Sequence, residues 1–290
     1  MIPHLATMAV TRMVLDRHDI RARKRYGQNF LIREEAVEEI LAAANIGEED
    51  TVLEIGPGIG TMTSYLSARA KRVISVEIDK SLQPVLEDTL QGADNITIVW
   101  EDILKVDLQK LHETYADGRK MKVVANLPYY VTTPILMELL QYGDLFSSIT
   151  LMVQKEVAER ICADPGTKEY GAITLGVAYY AAPHIVAVVP SGAFFPRPNV
   201  DSAILHLKAH ETPPVDADRE CLFELIRAAF GQRRKTLANA IAHATAGKPT
   251  ALSREEVVKA LEKMGLSGDI RGEKLGLPEF AMLTELCYTK

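Results

Sequence analysis

The feature that most constrains this chain is a regular alternation of short apolar runs with amphipathic segments. Val52-Leu53-Glu54-Ile55, Val73 to Glu77, Ile96 to Trp100, Lys122 to Ala125 and Ile149 to Val153 read as strands. Between them, Thr61 to Ala70, about Ser81 to Leu90 and a stretch after Thr133 read as helices. A helix with apolar positions at Val37, Ile40, Leu41 and Ala44 precedes the first strand, and Gly47 is placed to end it. Strands that alternate with helices imply a parallel sheet covered on both faces. Such sheets bind ligands beyond the carboxyl ends of their strands. Ile185 to Val189 and Ala203 to Leu207 lie closer together and suit an antiparallel edge.

Composition narrows the class further. At 290 residues and 47% hydrophobic content there is room for two cores. A net charge of −6 excludes binding to nucleic acid through bulk positive charge, so any such contact must rest on local basic patches. Cys162, Cys221 and Cys287 are far apart, with neither metal-ligand spacing nor a disulfide framework. The expectation is reduced, mostly buried thiols, no metal and a cytoplasmic location. Arg12, Asp16, Arg17 and Asp19 interrupt the apolar residues near the amino terminus, which fits neither a secretory signal nor a membrane span.

Three regions are expected. Residues 1–25 form an extension ending in the basic arm Arg21-Ala22-Arg23-Lys24-Arg25. Residues 26–210 form the α/β domain. Residues 211–290 begin with the linker Glu211-Thr212-Pro213-Pro214-Val215-Asp216 and continue as helices over Leu222 to Phe230, Arg234 to Ala244, Glu255 to Met264 and Glu279 to Cys287. Ser253 and Glu256 make a capping box for the third of these, with a staple from Leu252 to Val257.

Glu54-Ile55-Gly56-Pro57-Gly58-Ile59-Gly60 follows the first strand and precedes a helix. Glycines there let the backbone approach a ligand closely, and Glu77, ending the second strand, can accept two ribose hydroxyls. A dinucleotide site uses the same features, but its glycines follow Gly-x-Gly-x-x-Gly, whereas here they follow Gly-x-Gly-x-Gly. Asp102 after the third strand could accept an adenine amine, and Glu54 could orient a methionine end directly or through water. Three acids on successive strands beside a glycine loop favour S-adenosylmethionine.

Asn126-Leu127-Pro128-Tyr129 follows the fourth strand. An exocyclic adenine amine is a poor nucleophile because its lone pair is delocalised into the ring. A site that alkylates it must accept hydrogen bonds from its N–H groups as the transition state forms. The Asn126 side-chain oxygen and the Leu127 carbonyl can accept. Pro128 has a fixed φ and no N–H, which stiffens the turn, and Tyr129 offers a stacking face. Taken alone, these four residues also suit a strand ending in a proline turn.

These residues closely resemble the small-subunit ribosomal RNA adenine N6,N6-dimethyltransferases, the family that confers kasugamycin sensitivity on bacteria. The likeness runs from about Thr11 to the carboxyl terminus through ordered motifs. They are Gly27-Gln28-Asn29-Phe30-Leu31, Leu53 to Gly58, Val76-Glu77-Ile78-Asp79, Glu101-Asp102-Ile103-Leu104, Asn126 to Tyr130, Phe194 to Ser202 and Phe230 to Leu237. The resemblance implies a Rossmann-like class I methyltransferase fold with a small all-helical C-terminal domain. It implies transfer of four methyl groups to two adjacent adenosines in the loop closing the last helix of 16S rRNA, within an immature small ribosomal subunit. Carried over by position, Asn29, Leu31, Gly56, Glu77, Asp102 and Asn126 match cofactor-contacting residues, with Glu54 and Gly58 in the same loop. Asn126 and Tyr129 match the target-adenine site, and Phe194 matches an aromatic that sandwiches the flipped base.

Arg21, Arg23, Lys24, Arg25, Arg233, Arg234 and Lys235 are the expected phosphate contacts. The expected state is a monomer, with no membrane or DNA partner. Three other readings compete: an erythromycin-resistance type methyltransferase of large-subunit rRNA, a small-subunit assembly factor, and a nicotinamide dehydrogenase. The last leaves Asn126 to Tyr129 unexplained. A DNA adenine methyltransferase is disfavoured because no separate sequence-reading domain is evident.

Overall fold

The computed structural model describes residues 5–23 and 26–288. In chain order the elements are α1 Met8–Arg17, β1 Phe30–Leu31, α2 Glu34–Ala44, β2 Thr51–Ile55, α3 Thr61–Ser67, β3 Arg72–Val76, α4 Gln83–Thr89 and β4 Ile96–Val99. Then come α5 Leu108–Tyr115, β5 Met121–Asn126, α6 Thr132–Gln141, β6 Phe146–Gln154, α7 Lys155–Ile161, α8 Ala172–Tyr180, β7 Ala181–Val189, β8 Phe194–Phe195 and β9 Ser202–Ala209. The last four are α9 Arg219–Gly231, α10 Leu237–Thr245, α11 Arg254–Lys263 and α12 Leu277–Tyr288.

Among the described residues, seven strands form one sheet in the order β4-β3-β2-β5-β6-β9-β7. The pairs β2·β3, β3·β4, β2·β5 and β5·β6 are parallel, and β6·β9 is antiparallel. Every residue of β2 is buried, as a central strand covered on both faces requires. The strand order departs in opposite directions from the β2–β5 neighbours, so the topological switch point lies between them. This is the expected α/β architecture with an antiparallel edge.

The chain divides into two compact units, residues 1–158 with 182–209, and residues 159–181 with 210–290. Sequence reasoning placed all of 26–210 in one domain; the second unit instead also takes in α8 and the residues before it. In the first unit, Val37, Ile40 and Leu41 of α2 pack in one cluster with Val52, Val124, Met152 and Phe194. Burying each such large apolar side chain stabilises the fold by roughly 1.5–3 kcal/mol. A second cluster joins Leu5, Val14 and Leu15 to Phe30, Ile59, Leu82 and Val85, so α1 supports a segment next to the glycine loop.

In the second unit, Leu225, Ile241, Leu261, Phe280 and Leu283 share a core with Tyr170 and Tyr179. Its helices carry side-chain caps: Asp218 accepts from the Cys221 N–H at 2.9 Å, and Ser253 and Glu256 form the expected reciprocal box. Leu252 and Val257 lie buried in the same cluster. Two expectations are corrected. Helix α2 ends at Ala44, where Asn45 takes the left-handed conformation (φ 48°), so Gly47 is not the terminator. All three cysteines are free and half-buried rather than mostly buried.

Candidate active site

A cavity of about 260 Å³ opens at the switch point, lined from the Tyr26–Leu31 segment, the turn after β2, Glu77, Asp102 and Asn126 to Val131. Gly56 has φ 72°, and a Cβ built on it would meet nothing within 4 Å, so its backbone faces open space. A ligand can therefore approach the main chain there. At Gly58 (φ 59°) an added Cβ would sit 3.3 Å from the Phe30 ring, so this glycine permits close packing of Phe30.

Glu77 follows β3 and is 5% exposed. Its Oε1 accepts the Asp79 N–H at 2.8 Å and its Oε2 accepts the Gly58 N–H at 3.3 Å. Burial pushes its carboxyl above the ordinary range, and the backbone donors oppose that shift. The carboxylate is thus fixed beside the glycine loop, where hydroxyl donors would relieve its desolvation. Asp102 also lines the cavity, and its Oδ1 caps the short turn after β4 by accepting the Leu104 N–H at 3.1 Å.

Asn126 is the last residue of β5. Its Nδ2 donates to the Asn29 carbonyl at 3.1 Å, which identifies Oδ1 as the remaining acceptor. The Leu127 N–H donates to the Met152 carbonyl at 3.2 Å, and the Pro128 carbonyl accepts from Val131 N–H at 3.2 Å. Among the described residues, no group donates to Asn126 Oδ1 or to the Leu127 carbonyl. Two acceptors therefore stand at the sheet edge. The Tyr129 hydroxyl bonds Ser202 Oγ at 2.7 Å, which ties the ring to β9, and burial raises its phenol pKa. Tyr130 is 61% exposed.

Asn29, Leu31, Gly56, Gly58, Glu77, Asp102, Asn126, Leu127, Pro128 and Tyr129 all line this one cavity. Two expected residues do not. Glu54 is fully buried within the sheet, with Oε2 accepting from Ser75 Oγ at 2.6 Å on the paired strand, so its carboxylate faces protein rather than the cavity. Phe194 is 2% exposed and packs in the core. In the two-residue strand β8, one side chain turns inward and the next outward. Phe194 takes the inward place, leaving Phe195 half-buried with the Arg12 guanidinium 5.2 Å from its ring centroid. Tyr26, Gln28, Phe30, Ile78 and Ile103 also line the cavity and were not singled out. The motifs that contain Gln28, Phe30, Ile78 and Ile103 were the available signal.

The basic residues separate. Arg21 is exposed, whereas Arg23 pairs with Asp79 at 3.1 Å. Lys24 and Arg25 lie outside the described residues. Arg233 is engaged within its own unit, bonding Glu273 Oε2 at 3.0 Å and the Thr167 and Lys168 carbonyls at 3.3 and 2.7 Å. Arg234 and Lys235 are exposed ahead of Thr236, the N-cap of α10, which therefore begins later than Arg234. Among the described residues no cluster of His, Cys, Asp or Glu could hold a metal ion.

Known proteins resemble this chain in sequence and fold. The family model described as ribosomal RNA adenine dimethylase matches residues 20–267. A protein of Lachnoclostridium phytofermentans named ribosomal RNA small subunit methyltransferase A is 50% identical, over 96% of this chain and 95% of its own length. One of the same name from Bacillus pumilus is 44% identical over 97% of each chain. Among solved structures, a dimethyladenosine transferase from Plasmodium falciparum superposes with a TM-score of 0.71 at 27% identity, covering 88% of this chain and 95% of that one. The 23S rRNA methyltransferase ErmE gives 0.69 at 25% identity, covering 89% and 99%. Identity of this degree along nearly the whole length, together with two acceptors beside a glycine-loop cavity, means that the chain belongs to the ribosomal RNA adenine dimethylase family of enzymes.

Proposed function

We propose that this chain uses S-adenosylmethionine to dimethylate the N6 amines of two adjacent adenosines in the 3′-terminal hairpin loop of 16S rRNA, late in small-subunit maturation. The observation that carries the chemistry is the pair of unengaged acceptors, Asn126 Oδ1 and the Leu127 carbonyl, at the switch-point edge of the cavity. The names of the relatives at 50% and 44% identity support the small-subunit substrate.

The cavity suits the cofactor. Glu77 would hold the ribose hydroxyls, Asp102 the adenine amine, and the open backbone at Gly56 the methionine end, with Asn29 and Leu31 also lining the cavity. When bound, the cofactor supplies a methyl group on a sulfonium, already a good leaving group, so positioning can provide most of the rate. The chain's own residues then act on the target base. Tyr129 stacks on the flipped adenine. Asn126 Oδ1 and the Leu127 carbonyl accept its two N–H bonds and localise the nitrogen lone pair for attack on the methyl carbon. The surplus proton leaves after the methyl arrives, so no general base is required. A monomethylated amine keeps one N–H, which one acceptor can still hold for the second transfer.

RNA affinity would rest on Arg21, Arg234 and Lys235, which are exposed, with the engaged Arg23 adding to them. On a chain of net charge −6, basic residues confined to short local patches favour a ribosomal particle over naked RNA as the substrate. The cavity is lined by one unit of a single chain, which suits action as a monomer. No described helix is long and apolar enough to cross a membrane, and an rRNA substrate would place the work in the cytoplasm.

The test is transfer of labelled methyl to small subunits lacking these modifications, followed by nuclease digestion and mass analysis. Dimethyladenosine at two adjacent positions, lost on Asn126→Ala, is the expected result. Labelling of large-subunit RNA alone would favour the activity named for ErmE, and tight particle binding without transfer would leave an assembly role.

A further inference from the structure

We propose that Asp79 is a positioning residue: it latches the Gly27–Phe30 loop against the cofactor cavity and, through that loop, aims Asn126. The inference rests on the reading of the cavity as the S-adenosylmethionine site. Asp79 is 3% exposed, and a buried carboxylate persists only where donors replace its lost water. Its two oxygens take four hydrogen bonds. Ser81 supplies two of them, from N–H at 3.2 Å and Oγ at 2.7 Å, and these only shape the local turn. The other two come from a segment more than 50 residues earlier: Arg23 Nη1 at 3.1 Å to Oδ1 and Gln28 Nε2 at 3.2 Å to Oδ2.

Gln28 is itself braced, since its Oε1 accepts the Arg23 N–H at 2.8 Å. The next residue, Asn29, presents the carbonyl that holds Asn126 Nδ2 at 3.1 Å. On the other side, the Asp79 N–H donates to Glu77 Oε1 at 2.8 Å, and Glu77 Oε2 accepts the Gly58 N–H at 3.3 Å. One connected path therefore runs from the glycine loop through Glu77, Asp79 and Gln28-Asn29 to Asn126. Among the described residues, the strand pairing of this region is the two-residue contact β1·β8 and the bridge Thr7–Arg33, both engaging it at or after Phe30, so the Asp79–Gln28 bond fixes the end of the loop that the sheet does not. At that end, a Cβ added to Gly27 would lie 3.2 Å from Pro128 Cβ, so small shifts of the loop are felt at the Asn126–Tyr129 turn.

The experiment uses the full chain, with calorimetric binding of S-adenosylmethionine and single-turnover transfer to undermethylated small subunits. Asp79→Asn sets an amide donor against the Gln28 donor, and Gln28→Glu sets a carboxylate against a carboxylate. Each alone is expected to weaken cofactor binding and to slow transfer at saturating cofactor, by about tenfold to a hundredfold. Together they restore one hydrogen bond with donor and acceptor exchanged, and both quantities are expected to return most of the way to wild type. Ser81→Ala, which removes a bond to the same carboxylate without touching the loop, is expected to leave both nearly unchanged. Gln28 is half-buried on a loop, so its variant keeps the test open if Asp79→Asn does not fold. Additive losses in the double variant, or a Ser81→Ala effect equal to that of Asp79→Asn, would overturn the latch. If the wild type binds cofactor and the single variants match it, the latch alone fails. If the wild type binds no cofactor, the reading of the cavity fails with it.

Discussion

Asn126 Nδ2 lies 3.1 Å from the Asn29 carbonyl oxygen, and that bond decides which end of the Asn126 amide faces the cavity. A carbonyl oxygen can only accept, so the nitrogen must sit there and Oδ1 is left for the substrate. Asn126→Ala should slow single-turnover methyl transfer by about 10²–10³, the usual cost of losing one preorganised electrostatic partner. Asn126→Asp should lose nearly as much despite its shape, because a carboxylate would face the Asn29 carbonyl without a donor. Wild-type rates in the Asp variant would show that the amide orientation does not matter.

Glu54 bears on stability rather than on cofactor contact. Its Oε2 accepts from Ser75 Oγ, its Oε1 has no hydrogen-bond partner among the described residues, and burial pushes its pKa up to about 7. Between pH 4.5 and about 7 the folded chain keeps a proton that the unfolded chain has lost. Stability from this group is therefore fully present below pH 4.5 and declines as pH rises, levelling off above about 7, with a total loss of about 3 kcal/mol. Glu54→Gln should remove that decline, so the variant gains on wild type from pH 5 to about pH 7 in urea unfolding, and the difference then stays level to pH 8. Parallel stability curves for the two proteins would reject this account.

The strands around the site were legible because each is a short apolar run bounded by a turn, and their alternation with helices admits few topologies. The cavity residues were legible because Gly56, Glu77 and Asp102 follow strands and Asn126 ends one, and parallel strands bring their carboxyl ends to one edge. What escaped notice had weaker local signals. Helix α8 is apolar on most faces, so it carries no helical period. Asn45 ended α2 two residues before the glycine expected to do so. Glu54 lies inside β2 opposite Ser75, whereas Glu77 lies just past the end of β3, and composition near the glycine loop does not encode that difference. Arg233 reads like Arg234 until Glu273, 40 residues later, is brought against it.

Phe194, expected against the flipped base, lies in the core instead, and strand alternation leaves Phe195 as the half-buried ring of the pair. With Phe194 at 2% exposure, Phe194→Ala should cost about 3–5 kcal/mol of unfolding free energy, as for other core phenylalanines. Phe195→Ala should cost much less, because that ring is already half-buried. Urea midpoints for the two variants check the order. Unchanged stability in Phe194→Ala with abolished transfer would instead assign its ring to the flipped base.

The three consecutive cations at 233–235 should separate in the same way. Arg233 spends its guanidinium on Glu273 and on two backbone carbonyls, so Arg233→Ala should lower stability by about 1 kcal/mol, a figure limited by its partial exposure. It should leave the salt dependence of RNA binding nearly unchanged. Arg234 and Lys235 are exposed, and each contact with phosphate releases about one counterion. Arg234→Ala and Lys235→Ala should therefore each flatten the slope of log affinity against log salt by about one, with unfolding midpoints held. The measurement is binding to undermethylated small subunits across a salt series, beside urea melts of the same proteins. A flattened slope in Arg233→Ala with no loss of stability would move that residue from the scaffold of its unit to the RNA interface.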